Sequence, residues 1–205
     1  MRAYNLGFIS DENIYNHVKE TVLRYSANID LKEFNKNIID PIKLTFDAKV
    51  YGRSMEEVVA AECIRQMDKS NNNHIGYFHQ NLFRYAGNGW SVSTQGFDVV
   101  NEERHIFACL IENVNNLPKK KSNALFIHCF DKLLKDNKAI CYIVNLNDYS
   151  GTEELWKFVD KNDTFSSNNL RLVSIDRFYT IVFNEIDAYQ KVCDTLPAIL
   201  EDINC

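Results

Sequence analysis

The stretch from Asn71 to Asn116, NNNHIGYFHQNLFRYAGNGWSVSTQGFDVVNEERHIFACLIENVNN, decides the fold. It opens with an aromatic-rich helix, HIGYFHQNLFRYA, for which Asn73 is the expected cap. Gly87, Gly89 and Gly96 frame a turn and a short irregular approach containing Trp90. Two strand-like runs follow, over 96–100 and 105–111, and the polar link NEER between them is the sign of a hairpin. A single acidic residue, Asp98, stands in the first run.

Downstream, Lys119–Lys135 reads as a helix with Phe126, Ile127, Phe130, Leu133 and Leu134 inward. The run AICYIVNL (139–146) is almost wholly apolar, as a strand buried on both faces should be. A strand, a crossover helix and a second apolar strand imply a parallel pair. Beyond Gly151 the expectation is a helix around 153–159, a polar loop over 160–169 and a strand over 170–175. Helices beginning at Asp176 and Asp187 then close the chain, the second despite Pro197.

Upstream the pattern is helical. Ser10 and Asp11 cap a first helix running to about Ser26, and Asp30 with Glu33 suggests a second over LKEFNKNIID (31–40). Pro41 opens the next, PIKLTFDAKVY, which Gly52 ends. Ser54 and Glu57 form a clear capping box before an amphipathic helix carrying Met55, Val58, Val59, Cys63, Ile64 and Met67. The polar run Lys69–Asn73 is expected to break it. The expected architecture is α/β: one domain over 1–205, with a helical front (10–86), a sheet core (96–175) and a helical C-terminus (176–203).

The 205 residues can bury a sizeable core. Hydrophobic residues at 45% and charged residues at 25% are ordinary globular values, and a net charge of −5 does not advertise a nucleic-acid partner. No apolar run of membrane-spanning length exists, and MRAYNLGFISDEN lacks a signal-peptide core. The cysteines at 63, 109, 129, 141, 193 and 205 include no CxxC pair. That scatter suits reduced thiols in a cytoplasmic protein and argues against a zinc site. His74, His79, His105 and His128 have no ligand spacing, so each reads as a packed or surface histidine.

Metal-dependent phosphodiester cleavage needs carboxylates converging on Mg²⁺ and a cation beside the attacking water. Two adjacent strands supply these when one offers an Asp at its end and the other a Glu and a Lys two positions apart. Asp98 stands where the first carboxylate would. The second strand, HIFACLIEN, should hold the pair.

Several blocks carry a resemblance: IIDPIKLTFDAKVYG (38–52), DKSNNNHIGYFHQNLFRYAGNGW (68–90), GFDVVNEERHIF (96–107) and KAICYIVNL (138–146). They resemble type II restriction endonucleases of the PD-(D/E)XK class, within the family that cleaves GGNCC-type sites such as GGWCC. The similarity runs from about Asn5 to VSIDRFY (173–179) and LPAILEDI (196–203). It implies a restriction-endonuclease-like fold, a mixed central sheet flanked by helices, together with a dimer, Mg²⁺ and double-stranded DNA.

Asp98 then matches the metal-binding Asp, and Gln80 falls where this class places a Glu or Gln near the metal. The Glu-x-Lys pair falls on Cys109-Leu110-Ile111, and a Ser-rich block is replaced by ENVNNLPKKKSNALF (112–126). A thiol and an alkyl group neither hold Mg²⁺ nor polarise water.

Three readings follow. In the leading one the chain has lost the Glu-x-Lys half of its site and acts as a DNA-binding or partner subunit, in a homodimer or paired with an active nuclease subunit. Asn72, Asn73 and His74, with Lys119, Lys120 and Lys121, are its candidate DNA contacts; Asn72 and Asn73 otherwise read as cap and loop, and the lysines as a solvated helix start. In the second the ligands have moved, Asp98 joining Glu112 or Glu103, with Mg²⁺ the cofactor of an active enzyme. A regular strand points Glu112 away from Cys109, so that rescue needs a bulge. In the third the protein serves as a structural or regulatory partner without DNA binding or cofactor.

Overall fold

The computed structural model describes residues 2–25, 39–93, 96–160 and 163–204. These divide into two compact units, residues 1–19 with 78–205, and residues 20–77. The helix expected over 31–40 lies, through residue 38, outside the described residues.

The first unit is built on a six-stranded mixed sheet. Its strands are β1 (Trp90–Val92), β2 (Val99–Asn101), β3 (Ile106–Ile111), β4 (Ile140–Asn145), β5 (Glu153–Leu155) and β8 (Leu170–Ser174), in the spatial order β1-β2-β3-β4-β8-β5. β1 and β2 pair antiparallel, as do β2 and β3, so NEER does close a hairpin. Helix α4 (Lys119–Lys135) carries the chain across to β4, which lies parallel to β3 with Cys109 opposite Ile143. β8 continues the parallel set beside β4, and β5 closes the far edge antiparallel. β4 therefore sits inside the sheet and is apolar on both faces, as its composition required.

Helices α5 (Ile175–Phe183) and α6 (Ala188–Asn204) follow β8, with Pro197 inside α6. Phe83 packs edge-on against Phe178 and Tyr179 of α5. Under α4 lies a second core layer holding Phe97, Phe107, Cys109, Cys129, Cys141 and Ile143.

Four expectations are corrected here. Trp90 belongs to edge strand β1 rather than to an irregular approach. Residues 153–155 and 158–160 form strands, not a helix, and Glu153–Leu155 pairs with β8. The segment Phe158–Asp160 (β6), at the end of the expected helix, pairs antiparallel with Asp163–Phe165 (β7) in the expected loop. On α4, Phe126 and Leu133 pack on the core with Leu125 and Cys129. Ile127, Phe130 and Leu134 are exposed, at 58%, 40% and 70%. The buried stripe is therefore 125/126–129–133, and apolar character alone did not give its phase.

Helix α1 (Asp11–Arg24) starts where expected, with Ser10 Oγ accepting from the Asn13 N–H at 3.2 Å. In the second unit α2 (Pro41–Val50) is capped by Asp40, whose Oδ1 accepts from the Ile42 N–H at 2.9 Å. The Ser54–Glu57 capping box forms reciprocally, at 2.8 and 3.2 Å.

Helix α3 (Met55–Leu82) contradicts the expected break: it runs 28 residues straight through Lys69–Asn73. Asn73 is thus a mid-helix residue, not a cap. Each Asn costs a helix only about 0.7 kcal/mol, whereas a break would strip backbone partners from two helix ends. No helix among the described residues is long and apolar enough to cross a membrane.

Candidate functional site

The start of β2 is irregular. Phe97 and Val100 both enter the core layer under α4 although an odd number of positions separates them, which a regular strand forbids. A bulge resolves this. Val99 is the register partner of Ala108, yet the Asp98 N–H also donates to Ala108 O at 2.9 Å. Two residues of one strand therefore stand opposite one of the other.

Beyond the bulge the Leu110 N–H of β3 meets a side chain instead of a β2 carbonyl. The Asp98 carboxylate takes over: its Oδ2 accepts from the Leu110 N–H at 2.7 Å. Gln80, on α3, donates its side-chain amide to the Asp98 carbonyl oxygen at 3.2 Å. Two of the expected site residues are thus brought together, although Gln80 holds the backbone of Asp98 and not its carboxylate. Burial raises the Asp98 pKa above the ordinary carboxylate range, and the Leu110 N–H pulls it partly back.

The two positions flanking Leu110 are those expected to carry Glu and Lys. Cys109 is 4% exposed and belongs to the layer with Cys129 and Cys141, and Ile111 packs against that layer. The Cys109 and Cys141 thiols both push the Cys129 pKa upward. No charge is placed among these groups. Sequence pattern singled out Asp98 but not its bond to a main-chain N–H, because a bulge leaves no composition signal.

The remaining candidates are scattered. Glu112 is exposed on the bend after β3. Glu102 and Glu103 occupy the turn at the opposite end of β2, four and five residues from Asp98 and thus roughly 13 Å or more of extended chain away. Glu103 lies against Gly89 instead. Asn72, Asn73 and His74 lie within α3 and the second unit, on a helix rather than the expected loop. Asn72 Nδ2 reaches Asp68 Oδ2 at 3.4 Å, one turn back.

Lys119, Lys120 and Lys121 are exposed in the first turn of α4, which holds no acidic residue. Cations there oppose the helix dipole, so they concentrate positive potential at a cost to the helix.

Mg²⁺ requires several hard oxygen ligands. Beside Asp98 stand the Gln80 amide, which holds its carbonyl, and the strand positions Cys109 and Ile111, which offer a thiol and an alkyl group, and the Asp98 carboxylate already commits one oxygen to Leu110. Among the described residues no three His, Cys, Asp or Glu are grouped to hold a metal ion. The residues present do not fit that ion.

A mixed sheet flanked by helices, with a lone Asp at the bulged end of its hairpin, is a restriction-endonuclease-like arrangement. The model of the Eco47II restriction endonuclease family matches residues 6–205. The type II restriction enzyme Sau96I of Staphylococcus aureus is 31% identical over 96% of this chain and 80% of its own. The type II restriction enzyme Eco47II of Escherichia coli is 30% identical over 97% of this chain and 87% of its own. No solved structure matches. The chain belongs to the Eco47II restriction endonuclease family.

Proposed function

We propose that this chain is a non-cleaving type II restriction endonuclease homologue, a PD-(D/E)XK fold that has lost its Glu-x-Lys pair. One observation carries the reading. At the two positions beside Leu110, whose N–H holds Asp98, stand Cys109 and Ile111, both packed against an apolar layer. Neither can ligate Mg²⁺ or polarise water.

The chain then works as a single cytoplasmic domain over 1–205 by binding double-stranded DNA, as a homodimer or beside an active nuclease subunit. Lys120 and Lys121 touch phosphate, with Lys119 adjacent. Asn72, Asn73 and His74 take the same DNA-binding role from α3. Sites of the GGNCC type are the sequences to test first.

A reading without DNA is favoured by the net charge of −5. Titration of duplex DNA into the purified protein over a range of salt separates the two. Neutralised phosphates make log K fall linearly with log salt, by about 0.9 for each phosphate. Saturable, salt-sensitive binding supports the proposal. No binding at about 25 mM salt leaves a structural or regulatory partner.

A further inference from the structure

Helix α4 is apolar along two of its sides. One is the stripe through Leu125, Cys129 and Leu133, packed on the core. The other carries Ile127, Phe130 and Leu134, all of them exposed. Spacings of three and then four residues put these three on one line down the helix, the kind of seam along which two helices pack side by side. Continued toward the helix start with the same alternation, the line passes through Asn123 and Lys120, so polar residues bound its apolar part. A helix with apolar residues on two sides is ordinarily covered on both.

The apolar surface widens beside the seam. Phe130 stacks on Phe126 with ring centroids 5.5 Å apart, and Phe126 lies 5.8 Å from Phe165 of β7, itself 45% exposed. Phe158 and Phe165 are register partners and so share one face of their hairpin, the face on which Phe158 stacks against Phe126. The hairpin therefore forms a wall along the seam, and both belong to the first unit.

Area and symmetry select the occupant. Ile127, Phe130, Leu134 and Phe165 together expose roughly 400 Å². A stable interface buries about 800 Å² on each partner, a little over half of it apolar, or roughly 450 Å². The seam thus supplies nearly the whole apolar part of one standard interface. Its line from Ile127 to Leu134 holds only apolar side chains, which gives a polyanion nothing to bind. A second α4 laid antiparallel does fit. About a twofold axis between positions 128 and 129, each Ile127 meets the other Phe130, and each Leu134 meets the other Asn123.

We propose that two copies of this chain pair antiparallel through the Ile127–Phe130–Leu134 face of α4, with Phe165 at the flank. This rests on the homodimer of the proposed function and gives it a surface; it does not depend on whether the dimer binds DNA. The two Lys119–Lys121 groups then stand at opposite ends of the paired 17-residue helices, roughly 25 Å apart along the axis.

Sedimentation equilibrium of the full chain without DNA tests it. The expected result at about 50 μM chain is twice the chain mass. Leu134→Lys and Phe130→Glu should each weaken the dimer about tenfold or more. Both positions are exposed, so circular dichroism should be unchanged in the variants. Phe46→Glu, at a position 65% exposed on α2, is the control that should leave the dimer intact. An equimolar mixture of Ile127→Glu and Phe130→Lys chains should recover pairing that neither shows alone, because the antiparallel arrangement sets the two new charges face to face. The salt titration of duplex DNA reads DNA binding separately, so either result can fail without the other. A monomeric wild type, a dimer that persists in Leu134→Lys, loss of the dimer only in Phe46→Glu, or no recovery in the mixture overturns the proposal.

Discussion

The Asp98 carboxylate and the Leu110 N–H, 2.7 Å apart, form the hydrogen bond that closes the β2–β3 ladder where β2 bulges away. The oxygen of a side chain replaces the carbonyl that a continuing strand would have supplied. This gives Asp98 a structural task that needs no metal. Its presence beside Cys109 and Ile111 is thereby explained without catalysis.

That hydrogen bond separates two variants. Asp98→Ala leaves the Leu110 N–H unsatisfied and should destabilise by about 1–3 kcal/mol. Asp98→Asn keeps a carbonyl oxygen there and removes a carboxylate whose charged form burial disfavours. The folded pKa is raised, so this group's contribution is present at acidic pH and is lost as pH rises through the raised value. Asp98→Asn should therefore match or exceed the wild type in stability at neutral pH. Urea unfolding checks both, and equal losses in the two variants would remove the structural role.

Position 109 offers a second test. Cys109→Glu places a carboxylate in a layer with Cys129, Cys141 and Phe107. Burying an unpaired charge there should cost about 3 kcal/mol or more, or drive the new carboxyl to stay protonated. Ile111→Lys, at a half-buried position near the strand end, should cost less because a long side chain reaches solvent. Chemical denaturation of the two single variants gives the comparison.

Acid sensitivity should trace partly to His79. Its Nδ1 lies 2.8 Å from the Tyr179 hydroxyl, and desolvation lowers its pKa to about 4, with His17 adding to the shift. A depressed histidine favours the neutral folded form, so stability falls as pH drops from about 6.5 toward 4. The full effect is on the order of 3 kcal/mol. Unfolding free energy measured across that window should lose most of this slope in His79→Gln.

Lys120 and Lys121 should matter to DNA and not to the fold, since both are exposed in the first turn of α4. Replacing both with Ala should reduce the slope of log K against log salt by about 0.9 for each phosphate no longer neutralised. Thermal stability should hold or rise, because the change relieves repulsion with the helix dipole. An unchanged slope would move the DNA-binding surface elsewhere.

Much of the fold was legible because its signals are local. Asp40 before Pro41, the Ser54–Glu57 box and the apolar run of β4 each state their structure within a few residues. Failures came where tertiary context decides. The amides at 71–73 look like a break, but neighbouring turns hold the helix through them. Glu153–Leu155 lacks strand composition and becomes a strand because β8 offers an edge. At the candidate site, the resemblance singled out Asp98 and Gln80, which the fold brings within hydrogen-bond distance. The bulge that aims Asp98 at Leu110 depends on packing between segments that no single window contains.

The most direct measurement of the central claim is a cleavage assay. Purified wild type and Asp98→Ala would be incubated with duplex DNA carrying GGNCC sites, in Mg²⁺ and separately in Mn²⁺. The expected result is intact DNA under every condition for both proteins. Site-specific cutting by the wild type that disappears in Asp98→Ala would contradict the account and show an active nuclease with relocated ligands.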